Sequence, residues 1–361
     1  MSDIPTHMTA VQLLGHGGFE QLRVADDVPV PAPGPNEVLI RVAAAGINNT
    51  DINTRTAWYS KSVGTATGSG GAGGFAEASD ADASWTGEAL KFPRIQGADC
   101  CGTICAVGDN VNPGRIGERV LVRSLMRSYV DFRPFECWTF GSECDGGFAQ
   151  YAKAPARECY RVECDLTDAE LASFPCAYST AEGMLHRSNV AAERVVVTGA
   201  SGGVGSAAVQ LAKRCGAEII AVASRAKHDD LLKIGADQCL DRNADLVTEL
   251  GSNSVDVVLD LVAGNGWPQL LEILKIGGRY TTTGAIAGPM VELDVRTLYL
   301  KDLSFFGCTF QEDVVFENLI GYIERKEIKP LVAKTFPLTD IVKAQQEFLA
   351  KKHVGKLVLI P

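Results

Sequence analysis

A run of small residues, Ala200-Ser201-Gly202-Gly203-Val204-Gly205, follows the apolar stretch "RVVVTG" and precedes "SAAVQLAKRCG". Small residues in this order let backbone N–H groups close on a pyrophosphate. A helix that starts there adds free donors and the positive end of its dipole. A side chain at Gly202 would obstruct the phosphate, and one at Gly205 would push the helix off the preceding strand. The pattern is G-x-G-x-x-G with Ala in first place. Its setting between a strand and a helix is what gives this motif its meaning.

About 20 residues further on, the next strand of such a unit ends beside the ribose. Here "EIIAVAS" runs into Ser224, Arg225, Ala226 and Lys227. A carboxylate at that point would grip a ribose 2′-hydroxyl. A hydroxyl and two cations suit a 2′-phosphate instead, so NADP(H) is expected over NAD(H). Gly284, after "RYTTT", fits a close backbone approach on the far side of the same pocket. Tyr59 precedes an unusual insert and could donate a proton. His16 and His186 lack any partner pattern and read as structural.

The elements that must position these residues fall into two textures. Up to about residue 160 the chain reads as short strands between Gly and Pro turns: "EVLIRVAAAGI", "GTICAVG", "GERVLVRS" and "FAQYAKAP". Residues 63–88, rich in Gly, Ala, Ser and Asp, interrupt it without periodicity and read as a flexible surface insert, with a lid as the alternative. From about residue 166 a capping box, Thr167 with Glu170, opens a helical stretch. Strands and helices then alternate, with nearly continuous apolar strands. That pattern means a parallel sheet covered on both faces. The expected fold class is α/β: a β-rich domain over 1–165 and 311–361, and a doubly wound dinucleotide-binding domain over 166–310.

Composition sets the bounds. The chain has 361 residues and a net charge of −10, which disfavours nucleic acid and anionic membranes, because both need clustered cations. No apolar run reaches the roughly 20 residues of a membrane helix, and no signal peptide is visible, so a cytoplasmic location is expected. Eleven scattered cysteines read as buried reduced thiols rather than a disulfide framework.

Taken in order, the motifs resemble the medium-chain dehydrogenase/reductase superfamily over nearly the whole chain. "PGPNEVLIRVAAAGINNTDIN", "FPRIQGADCCGTICAVGDNV", "IGERVLV", "GGFAQYAKAP", "PCAYSTAEGML", "GASGGVG" and "GKLVLIP" carry the resemblance. It implies a GroES-like catalytic domain, a Rossmann domain and an active-site cleft between them. The zinc alcohol dehydrogenase branch carries a Cys at the position of Asn48, His-Glu at Ala98-Asp99, and a Cys at Cys176. One clear ligand and one carboxylate do not make a zinc site, which needs three protein ligands. Cys137 and Cys144 alone cannot close the structural zinc lobe of that branch, so no metal is expected.

The zinc-free quinone and enone reductase branch is the better match. There an Asn and an Asp three apart lie beneath the nicotinamide, matching Asn48 and Asp51. Asn48 could orient a substrate carbonyl or the nicotinamide amide, and Asp51 either serves the site or caps a helix. Thr50 matches the position where the alcohol dehydrogenases carry a proton-relay hydroxyl, with a turn hydroxyl bonded to backbone as the alternative, and Thr180 matches a helix position facing the nicotinamide. Glu182, two residues on, points elsewhere. The implied function is zinc-independent, NADPH-dependent hydride transfer to a small quinone, enone or related carbonyl compound. The alternatives are a zinc-type alcohol dehydrogenase with a degenerate metal site, and a non-catalytic NADPH-binding sensor or structural protein. Family members pair through the last Rossmann strand, and the apolar "LSFFGCTF" (303–310) suits a homodimer.

Overall fold

The computed structural model describes residues 4–361. They divide into two compact units. The first holds the chain up to Val63, Ser69–Cys176 and Ile320–Pro361; the second holds Gly64–Gly68 and Ala177–Leu319. The crossings fall later than the sequence patterning placed them, inside the helices Pro175–Arg187 and Asp313–Glu324. The capped helix Asp168–Leu171 explains the first shift. It packs on strands of the first unit, with Leu171 fully buried, although its capping box marks the start of the helical texture.

The first unit is built on a seven-stranded sheet. Its order is Cys159–Arg161, Arg119–Val122, Cys101–Val107, Glu37–Gly46, Lys356–Ile360, Val332–Pro337, with Tyr151–Pro155 also pairing to Glu37–Gly46. Leu22–Pro29, His7–Leu13 and Arg94–Ile95 form a smaller sheet. Val38, Ile40, Phe140, Phe148, Leu357 and Leu359 pack the core between them. The last strand of the chain runs antiparallel to Glu37–Gly46, with Val358 opposite Gly46 and Leu359 opposite Ala45. Ile47 N then donates to Leu357 O at 2.9 Å. This register carries Lys356, more than 300 residues away in sequence, to the side of Asn48.

The second unit holds a six-stranded parallel sheet. Its order is Gln238–Asp241, Glu218–Ala223, Arg194–Thr198, Val255–Asp260, Leu274–Thr282, Ser304–Gly307. Numbered along the chain this is 3-2-1-4-5-6, the doubly wound order, with its switch point between the third and fourth strands in that series. Val195, Val196, Val197, Ile219, Ile220 and Val257 are all fully buried, as a sheet covered on both faces requires. Ser304–Gly307 is an edge strand with mostly exposed residues, not an internal one. Its Phe305 packs against Tyr280, ring centroids 5.3 Å apart.

The insert is not a free surface loop. Its carbonyls and amides are tied down at several points. Arg55, a fully buried side chain, donates from Nη2 to Gly71 O at 2.6 Å and from Nη1 to Gly17 O at 2.8 Å. Ser79 N donates to Ser60 Oγ, Thr86 N to Glu143 Oε1 and Lys61 N to Asp82 Oδ2, each at 3.0 Å. Thr67 N pairs with Ile286 O within the second unit. Composition hid this order, because the ties run through polar groups, some beside the segment and some as distant as Glu143 and Ile286, rather than through an apolar period. All eleven cysteines are free thiols. Among the described residues, no helix is long and apolar enough to cross a membrane.

Candidate functional site

The second unit holds the candidate nucleotide cradle. Strand Arg194–Thr198 ends in Gly199, whose φ of +58° turns the chain. Gly202 then caps the helix Gly203–Arg214. The amides of the first helical turn have no carbonyl behind them and point out of the helix end. A Cβ on Gly205 would lie 2.3 Å from Gly199 O and 2.6 Å from Ala200 Cα, so only glycine lets this helix sit against its strand. A Cβ on Gly202 would meet only Gly199 O, at 3.5 Å. The space above it is open, and Gly202 is exposed while Ser201, Gly203 and Val204 are half-buried. Ala200 is buried, with its N–H donating to Val222 O at 3.2 Å. This cradle fits the diphosphate of a dinucleotide.

At the switch point, Asp260 gathers four donors. Thr198 Oγ1 lies at 2.5 Å and Tyr280 Oη at 2.6 Å, and the amides of Val262 and Ala263 also donate to it. The fully buried carboxylate therefore rigidifies the carboxyl ends of three neighbouring strands. Gly284 sits just beyond, where a Cβ would approach Leu261 O at 3.3 Å. Thr180 is half-buried on the helix Pro175–Arg187. Glu182, two residues on, is buried near Asn318 Nδ2 at 3.4 Å.

Ser224, Arg225 and Lys227, the residues expected at the ribose, follow the strand Glu218–Ala223, and two groups not expected there adjoin them. Asp241 ends the adjoining strand and accepts from Arg225 N at 3.2 Å and Asn243 N at 3.0 Å. Arg242 follows it, its N–H on Ala223 O. Burial, and then the charge of Arg242, hold the Lys227 ammonium below its usual pKa. Three cations and one carboxylate thus crowd two strand ends. Asp241 and Arg242 escaped the sequence reading because they reach this corner through strand pairing, Ala223 opposite Asp241, not through the motif.

The first unit holds the other candidates. Asn48 precedes the helix Asn49–Thr56, and its N–H donates to Asp51 Oδ2 at 2.7 Å. Asp51 Oδ1 accepts from Ala98 N at 3.1 Å. Both oxygens thus clamp backbone, which favours the capping role for Asp51. Burial, opposed by these hydrogen bonds and by Lys356, pushes its carboxyl up to about 7. The Asn48 amide is also engaged. Its Nδ2 donates to Asp99 Oδ2 at 2.8 Å and to Gly46 O at 3.3 Å, and its Oδ1 accepts from Lys356 Nζ. The expectation that Asn48 orients a substrate carbonyl therefore does not fit this geometry: both amide hydrogens are already used.

Thr50 and Tyr59 form a hydroxyl pair, with Tyr59 Oη donating to Thr50 Oγ1 at 2.9 Å. Both are half-buried. Trp85 of the insert packs edge-on to Tyr59, ring centroids 5.1 Å apart. Burial raises the Tyr59 pKa well above its ordinary value, so the phenol stays protonated. Thr50 accepts that proton donor's hydrogen bond, and its own hydrogen remains able to donate onward.

A zinc ion does not fit the residues present. Asn48 offers an amide where a thiolate ligand would stand, and Lys356 Nζ sits 2.8 Å from Asp99 Oδ2. Among the described residues, no three His, Cys, Asp or Glu side chains are placed to hold a metal.

A GroES-like β unit and a doubly wound unit with this nucleotide cradle define an oxidoreductase of the medium-chain dehydrogenase/reductase superfamily, and the chain belongs to it. Residues 34–164 match the family model for the alcohol dehydrogenase GroES-like domain, and residues 203–325 that for zinc-binding dehydrogenase. A structure provisionally assigned as an alcohol dehydrogenase from Sinorhizobium meliloti 1021 is 46% identical, covers 100% of this chain and 98% of its own, and superposes with a TM-score of 0.88. The quinone oxidoreductase of Homo sapiens is 26% identical over 98% of both chains. An acryloyl-coenzyme A reductase from Sulfurisphaera tokodaii is 27% identical over 93% of this chain and 96% of its own.

Proposed function

We propose that the chain is a metal-independent, NADPH-dependent reductase that reduces a small quinone, enone or related activated carbonyl compound. The observation that carries this reading is the donor set of the first unit, in which an amide and an ammonium stand where metal ligands would be needed; the cation-rich cradle of the second unit supports the choice of cofactor. Bound NADPH would supply the hydride. The helix that starts at Gly203 would hold the diphosphate, and Ser224, Arg225, Lys227 and Arg242 the 2′-phosphate. Thr50 would give a proton to the atom that gains electron density and draw one from Tyr59, which solvent water would reprotonate, so that one hydride and one proton from solvent complete the reduction. Asn48 and Asp51 would support the helix Asn49–Thr56, which carries Thr50, rather than touch substrate. The relatives named quinone oxidoreductase and acryloyl-coenzyme A reductase support the substrate class.

We further propose a cytoplasmic homodimer without nucleic-acid or membrane partners. Eleven free thiols suit a reducing compartment, and the exposed edge strand Ser304–Gly307 suits pairing with a second copy.

The test is metal analysis of the purified protein beside NADPH and NADH oxidation with quinones, enones and aldehydes. Metal-free protein that oxidises NADPH with an enone or quinone supports the reading. Stoichiometric zinc with alcohol oxidation overturns it.

A further inference from the structure

The buried cluster of the first unit holds one cation, and that cation stands among the groups a metal would need. Lys356 Nζ bonds both Asp99 Oδ2 and Asn48 Oδ1. Lys356 is 3% exposed and Asp99 is fully buried. The other Asp99 oxygen accepts from Cys176 N at 2.6 Å. Burial, and then the charge of Asp99, push the Cys176 thiol up, with Lys356 opposing. Of the three residues at or beside the positions of the zinc branch's ligands, Asn48 and Asp99 meet the ammonium directly, and Cys176 is tied to the same carboxylate through its N–H.

We propose that Lys356 is the specificity-determining residue that denies this site a metal ion: its ammonium is the resident cation of the cluster. The inference rests on the metal-independent reading above. The physical argument is charge and space. An ammonium has three donors and one positive charge; here it neutralises Asp99 and occupies the amide oxygen of Asn48. A divalent ion placed against the same carboxylate would face that charge at a few ångströms in a site with little water, where screening is weak. Restoring a thiol at position 48 would not suffice, because the new thiolate would pair with the ammonium. Removing the ammonium as well leaves two sulfurs and one carboxylate, a donor set that suits Zn²⁺ or Co²⁺ with water in the fourth place.

The test is cobalt(II) titration of the full-length protein, read by the near-ultraviolet thiolate-to-cobalt absorption and the visible bands of tetrahedral cobalt. Four proteins are compared: wild type, Asn48→Cys, Lys356→Ala and the double variant Asn48→Cys/Lys356→Ala. Circular dichroism melting monitors folding. The expected result is no thiolate–cobalt band in wild type or in Asn48→Cys. The double variant binds one equivalent, at least about a hundredfold tighter than Asn48→Cys, the scale of one removed like-charge contact. Should the double variant not fold, Asn48→Cys/Lys356→Gln, which keeps the length of the side chain without its charge, is titrated against the same criteria. Asn48→Cys binding cobalt as tightly as the double variant would overturn the proposal. A folded double variant that binds none would overturn it equally. Stoichiometric zinc in the wild-type protein as purified is a different outcome: it defeats the metal-independent reading itself.

Discussion

The Tyr59 hydroxyl donates a 2.9 Å hydrogen bond to Thr50 Oγ1. This orders the two hydroxyls: the phenol is the donor, and threonine is the group left with a hydrogen to give.

If the pair supplies the proton, both members matter, and unequally. Thr50→Val removes the donating atom and should lower kcat by about a hundredfold, the usual scale for losing a positioned acid. Tyr59→Phe leaves Thr50 to be resupplied by water and should cost roughly tenfold. NADPH affinity should be unchanged in both. Steady-state NADPH oxidation and fluorescence titration of the cofactor check this, and equal kcat in all three proteins would remove the pair from the mechanism.

The cations at the ribose end make a separate prediction. Arg225→Ala, Lys227→Ala and Arg242→Ala should each weaken NADPH binding by about fivefold, near 1 kcal/mol for a partly exposed charge-assisted contact. NADH binding should barely move. Calorimetric titration with the two cofactors separates a phosphate contact from general damage. Arg242 is the informative position, since only strand pairing brings it here.

Asp51 should give the stability a pH dependence near neutrality. Its folded-state pKa, pushed up to about 7, exceeds the unfolded value of about 4. The folded protein therefore binds more protons than the unfolded chain between these values. The contribution of this group to stability is greatest at low pH and declines as pH rises from about 4 to 7. Asp51→Asn should flatten that part of the curve and lower stability overall, because the amide nitrogen cannot accept the N–H of Asn48 or Ala98. Thermal melts from pH 5 to 8.5 on both proteins measure the difference in slope.

Arg55 anchors the insert, and its removal should be felt there first. The guanidinium bonds Gly17 O, Gly71 O and Gln345 Oε1 and lies over the Phe19 ring, 4.5 Å from its centroid. Arg55→Met leaves those acceptors unpaired and should cost about 3 kcal/mol. Limited proteolysis should then cut within residues 69–88 before any other segment. A variant that melts like wild type and resists the protease would show that the anchor is unimportant.

Much of this architecture was legible along the chain. The switch from turn-bounded strands to repeated strand–helix units announced two kinds of domain. The small residues from Ala200 to Gly205 announced the cradle, because a 2.3 Å approach at Gly205 tolerates no side chain whatever surrounds it. Ser224, Arg225 and Lys227 could be placed by counting along one βαβ unit. These are local statements: a turn, a helix start and a strand end depend on neighbours within about thirty residues.

What the chain order could not convey was which distant groups would meet. Asn48 read as a substrate contact until the last strand, pairing with Glu37–Gly46, brought Lys356 against its amide. Asp241 and Arg242 join the ribose corner only because one strand lies beside another. The insert, with no period of its own, is ordered by a buried arginine outside it. Sequence by itself determined the repeated units and the phosphate turn, since short-range sterics and periodicity dictate them. Tertiary structure decided the partner of each buried charge, because a hydrogen bond 2.8 Å long depends on sheet register and takes no account of the residues between.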